Sequence, residues 1–76
     1  MNKDILKGHW RELKGKIKQH WGKLTDDEIT RVEGKADELS GLLQKKYGLS
    51  KERAEKDIES FTVEEEKRFK DKESRH

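Results

Sequence analysis

The sequence predicts an all-α protein of four helices, arranged as two duplicated αα-hairpins with the last helix projecting past the fold. Three observations predict it: a self-match at a shift of 26 residues, an apolar stripe of helical spacing in each copy, and cap signals between the stripes in a chain without proline. The shift aligns Gly8, Glu12, Leu13, Gly15 and Gly22 with Gly34, Glu38, Leu39, Gly41 and Gly48, all identical pairs. It also sets Ile17 against Leu43 and Trp21 against Tyr47, and after a one-residue deletion Leu24-Thr25 matches Leu49-Ser50.

The first helix is predicted over residues 3–21, because Leu6, Trp10, Leu13, Ile17 and Trp21 recur at steps of four, three, four and four and so share one face. Gly22 is placed to stop it in the left-handed conformation that favours a residue without Cβ. Thr25 then opens a second helix over 26–33, with Glu28 completing a capping box. The third helix, over 35–47, repeats the stripe as Ala36, Leu39, Leu43 and Tyr47 and ends at Gly48. Ser50 opens the fourth, from 51 toward 72, which buries Ala54, Ile58 and Phe61. Beyond Phe61 only Phe69 is large and apolar on that face, so the charged far end is expected to project into solvent and fray, supported by pairs such as Glu64 with Arg68 and Glu66 with Lys70. The division is therefore a helical domain over 1–61 and a charged helical extension over 62–76. Neither hairpin encloses a core alone, so the two bury their stripes against each other.

Composition narrows the class. With 28% hydrophobic and 47% charged residues, the 76-residue chain holds one small core and a thin margin of stability. The absence of cysteine removes disulfides, thiolate metal sites and thiol nucleophiles together. The N-terminal residues have no apolar signal-peptide segment, and no apolar run reaches spanning length, so a cytoplasmic protein without a membrane role is expected. Charge is uneven: residues 1–24 carry a net +5 within a chain of net +2.

Two features of the first helix qualify as candidate sites. Lys7, Arg11, Lys14 and Lys18 align at steps of four, three and four, a basic stripe able to follow phosphates, which is also the pattern of an ordinary solvated face. The second copy replaces it with Asp37, Ser40 and Gln44, against a symmetric nucleic-acid clamp. Gly15 and its repeat partner Gly41 each cost a helix interior about 1 kcal/mol relative to alanine, which something must offset. The expected offset is another helix of the domain crossing there; the alternative is a bare surface left for a partner's backbone. Trp10 and Trp21 lie on the apolar stripe and are assigned to the core rather than to base stacking. His9 and His20 are eleven residues apart, too far to share a zinc ion, and no nucleophile motif or phosphate loop accompanies them. Catalytic residues, a cofactor and a metal are therefore not expected.

The segments GHWRELKGKIKQHWGKLTDDE (Gly8 to Glu28), EGKADELSG (Glu33 to Gly41) and QKKYG (Gln44 to Gly48) closely resemble the CsbD-like family of small bacterial stress-response proteins. The resemblance covers residues 1–61 and is carried by Trp10, Leu13, Gly15, Trp21, Gly22, Leu24 and Thr25, then Gly34, Leu39, Gly41, Tyr47, Gly48 and Ala54. It implies a bacterial cytoplasmic protein that accumulates under general stress, a fold like the two-hairpin arrangement of SAM-like domains, and no enzyme activity. It assigns no partner. Three functional classes follow: a protective or protein-contact role, which ranks first; nucleic-acid binding through the basic first helix; and an adaptor or homodimer using the glycine face and the end of the last helix.

Overall fold

The computed structural model describes residues 3–74, with side chains from Asp4 to Lys70, so the ends of the expected 1–61 and 62–76 segments at residues 1–2 and 75–76 lie outside it. The described residues form helices and connecting turns, with no strand. The helices are α1 (Lys3–Gly8), α2 (Trp10–His20), α3 (Asp26–Val32), α4 (Ala36–Tyr47) and α5 (Lys51–Ser74).

The expected first helix is thus two. Helical bonding continues across the break, from His9 N to Ile5 O at 3.1 Å and from Leu13 N to His9 O at 2.9 Å, while His9 itself leaves helical geometry at φ −120° and ψ 23°. The apolar stripe runs unbroken through this elbow, which is why periodicity does not reveal it. The duplication is visible in the element starts: α2 begins at Trp10 and α4 at Ala36, 26 positions later. Thr25 accepts from Glu28 N at 3.1 Å and Glu28 Oε1 accepts from Thr25 N at 2.9 Å, the expected capping box. Ser50 Oγ accepts from Arg53 N at 3.1 Å and caps α5 without a returning carboxylate.

Each helix packs on its chain neighbour, and α5 returns to α1, closing a ring around one core. That core holds Leu6, Trp10, Leu13, Ile17, Trp21 and Leu24 from the first copy. It continues through Ile29 and Val32 to Ala36, Leu39 and Leu43, and then to Ala54, Ile58 and Phe61. Leu42, Tyr47, Leu49 and Phe69 pack against its edge. Each fully buried Leu or Ile stabilises the fold by roughly 1.5–3 kcal/mol, so the stripe positions carry most of the favourable term.

Two expectations about turns and ends are corrected. Gly22 does not adopt the left-handed conformation; among the described residues only Glu33 (φ 51°), Gly34 (φ 78°) and Gly48 (φ 65°) have positive φ. The turn after α2 is closed instead by Lys18 Nζ, which donates to Gly22 O at 3.4 Å and to Leu24 O, and by Leu24 N donating to Trp21 O at 3.1 Å. The stretch expected to project beyond Phe61 lies along the first copy as far as Phe69. His9 stacks on Phe69 with ring centroids 4.2 Å apart, Lys16 Nζ meets Glu65 Oε1 at 3.5 Å, and His20 faces Phe61 at 5.4 Å. Residue numbers rise along α2 as they fall along α5, so the two run antiparallel. Thr62 and Glu65 are buried in consequence, and Thr62 Oγ1 donates to Glu59 O at 2.8 Å.

Candidate functional site

The outer flank of α2 holds three of the six sequence-predicted site residues in one place. Lys14, Gly15 and Lys18 line an open groove between α2 and α3, whose other side is Asp26 and Thr30 and whose floor is Ile29. Ile29, the one apolar side chain of the lining, is only 2% exposed, so the groove's nonpolar surface comes largely from the carbon atoms of its polar residues and of Gly15. α2 forms because its apolar residues keep a step of three or four. That same spacing turns Lys14 and Lys18 toward the edge of the core and Gly15 away from it.

Gly15 has no atom within 4 Å of where a Cβ would stand, and neither has Gly41. The expected helix crossing is therefore absent at both positions: these glycines are exposed helix-interior residues that packing does not offset. Gly41 lies apart on α4 and does not join the groove. Lys7 is exposed on α1 and lines a second groove with Lys35, Ala36, Asp37 and Glu38, while Arg11 is exposed one turn before Gly15. Lys18 is partly committed, since its ammonium serves the carbonyls of Gly22 and Leu24. Lys7, beside Lys35, thus lines a different groove from Lys14 and Lys18, and Arg11 lines neither.

The glycine that does mediate a close approach is Gly34. A Cβ there would stand 2.8 Å from Lys7 Cα and 2.9 Å from Leu6 O, so the α3–α4 turn presses directly on the backbone of α1. In the sequence Gly34 enters through the repeat register and the family resemblance, and neither points to this contact. Glu33 and Gly34 take two consecutive left-handed conformations in the turn, which the sequence did not signal.

The aromatic residues are occupied. Trp10 and Trp21 are buried, and Trp21 meets Phe61 at 5.2 Å and His20 at 4.4 Å. The Trp10 indole Nε1 is buried without an acceptor among the described residues. Tyr47 Oη accepts from Lys23 N at 3.1 Å, and the Lys23 ammonium sits 5.1 Å from the Tyr47 ring centre. Lys46 Nζ pairs with Glu28 Oε2 at 2.9 Å and ties α4 to α3. The Thr25 backbone N–H, then the Lys46 ammonium, hold the Glu28 carboxyl down at about 2. His9 Nδ1 lies 3.5 Å from Glu12 Oε2. Among the described residues no three His, Cys, Asp or Glu side chains converge as metal ligands, and no helix is long and apolar enough to cross a membrane.

The CsbD-like family model matches residues 4–56. UPF0337 protein YjbJ of Escherichia coli O6:H1 is 52% identical over 61 residues, covering 80% of this chain and 88% of that protein. YjbJ of Escherichia coli K12 is 48% identical over 69 residues, covering 91% and 100%. A UPF0337 protein of Bordetella pertussis is 52% identical over 61 residues, covering 80% and 92%. With most of the chain matched at this identity, and with the buried stripe, the glycine punctuation and the Thr25 box in place, the chain belongs to the CsbD-like family.

Proposed function

We propose that the chain is a non-enzymatic stress-response protein that works by contact, and that its contact surface is the outer face of α1 and α2 around Arg11, Lys14 and Gly15. The observation that carries this reading is Gly15: a helix-interior glycine, exposed, with no neighbour within 4 Å, beside an open groove rimmed by lysines. Such a residue lowers helix stability by about 1 kcal/mol, and nothing inside the molecule offsets it. A partner that approaches the bare backbone supplies the reason.

The competing reading is protection by bulk polarity, suggested by a mean hydropathy of −1.36 and needing no site. The two separate cleanly under charge swaps at fixed composition. In a strain lacking the native protein, held under the stress in which the protein accumulates, R11E/E12R and K14D/D26K are compared with the unaltered chain. The contact reading expects both swaps to lose function at unchanged abundance and helicity. Full function in both would leave protection by composition.

A further inference from the structure

We infer that the α1–α2 face binds the phosphate backbone of double-stranded nucleic acid, without reading its bases; the inference rests on the contact reading above and names its partner. The occupant follows from what the face offers. Lys7 and Arg11 are exposed and Lys14 half-buried on successive turns of α1 and α2, with Lys35 beside Lys7. The only apolar side chain lining the groove beside Gly15 is Ile29, itself buried. A protein segment or a membrane surface docks on exposed large apolar side chains, and this groove has none among the described residues. Among the described residues the one exposed large hydrophobic is Val63, on α5 in a different groove. A run of cations without an exposed large apolar side chain beside it is instead complementary to a line of phosphates.

The state of the aromatic residues selects duplex over single strand. Single strands are held by stacking bases on exposed rings. Here Trp10 and Trp21 are buried, Phe61 is buried, and Tyr47 is engaged by Lys23. Without a stacking platform, backbone contact to an ordered duplex remains. Asp26 in the groove and Asp37 and Glu38 beside Lys35 repel further phosphates and keep the footprint small. Lys18, held by two carbonyls, adds charge but little reach. About three to four phosphate contacts are therefore expected, with non-specific affinity of order 10⁻⁴ to 10⁻⁶ M.

The test is fluorescence anisotropy of the full chain with a mixed-sequence DNA duplex of about 20 base pairs and the matching single strand, from about 25 to about 200 mM potassium chloride. Expected is duplex binding whose log K falls against log salt with a slope of about −3, as about 0.9 per phosphate requires. R11E/K14E should weaken it at least about tenfold, whereas K51E/K67E, the same charge change on exposed α5 positions, should weaken it less than about threefold; circular dichroism confirms that both variants fold. No binding at low salt, equal loss in both variants, tighter binding of the single strand, or preferential binding to anionic phospholipid vesicles overturns the inference. If R11E/E12R fails in cells while the duplex is not bound, the contact face stands and the nucleic-acid partner falls.

Discussion

The two copies of the repeat carry the same glycines at the same spacing and use them differently. In the first copy Gly8 and Gly22 have open space around them and no left-handed backbone. In the second, Gly34 sits against the α1 backbone at φ 78° and Gly48 ends α4 at φ 65°. The middle pair, Gly15 and Gly41, is alike: both are exposed and touch nothing. The copies also differ in their neighbours. His9, Lys16 and His20 of the first copy receive the distal half of α5, whereas Lys46 of the second, matching His20, pairs with α3. Duplication supplies equal elements, but chain order gives them unequal surroundings. A glycine identical in sequence is structural in one copy and replaceable in the other.

Substitutions at matched positions test this asymmetry. The largest effect is expected at the first glycine pair: Gly34→Ala should cost about 3 kcal/mol in urea denaturation, through positive φ and a backbone collision, whereas Gly8→Ala should move stability by less than about 0.5 kcal/mol. Equal costs would remove the asymmetry. Next, Phe69→Ala should cost about 2 kcal/mol and speed amide exchange over residues 62–69, because that half of α5 is docked on the first copy alone through the His9 stack and the Lys16–Glu65 pair. Unchanged exchange would mean that the docking contributes nothing.

At the helix ends, Gly48→Ala should cost about 1 kcal/mol and Gly22→Ala close to nothing, since only Gly48 adopts the left-handed cap. The middle glycines test the common feature. Gly15→Ala and Gly41→Ala should each stabilise by about 0.5–1 kcal/mol, measured as a rise in denaturation midpoint; a loss in either would reveal a contact that the open backbone does not suggest.

The smallest difference concerns acid. Glu28, in the first copy's cap at Thr25, is held down at about 2 against an ordinary 4.5, so its contribution is fully present above pH 4.5 and lost as pH falls through 2. Glu28→Gln should flatten that part of the acid unfolding curve. No such change is expected from the cap of α5, where Arg53 stands in place of the glutamate.

Much of the fold was legible because it obeys local rules. The stripe of Leu6, Trp10, Leu13, Ile17 and Trp21 is buried as its spacing requires, and Thr25, Ser50 and Gly48 cap as their side chains or lack of one dictate. The break at His9 was not legible, since the apolar period passes through it unchanged. Nor was the burial of Glu65: on its own helix it belongs to a charged run, and it is buried where Lys16 reaches it across the α2–α5 seam while Arg68 of its own helix pairs its other oxygen. For the candidate surface, the order of Lys7, Arg11, Lys14 and Lys18 could be read directly. That Lys18 would close a loop, that Asp26 and Thr30 would face Lys14, and that Gly41 would stand apart required knowing which helix lies beside which.

Residue order alone specifies the helical class, the duplication, the core residues and the caps at Thr25, Gly48 and Ser50, because each depends on side-chain spacing or backbone freedom within a few residues. Packing in three dimensions chose which glycines became indispensable, where α5 came to rest, and which cations kept an open face. Those outcomes depend on contacts between residues far apart in the chain, and a repeated motif cannot encode two different sets of neighbours.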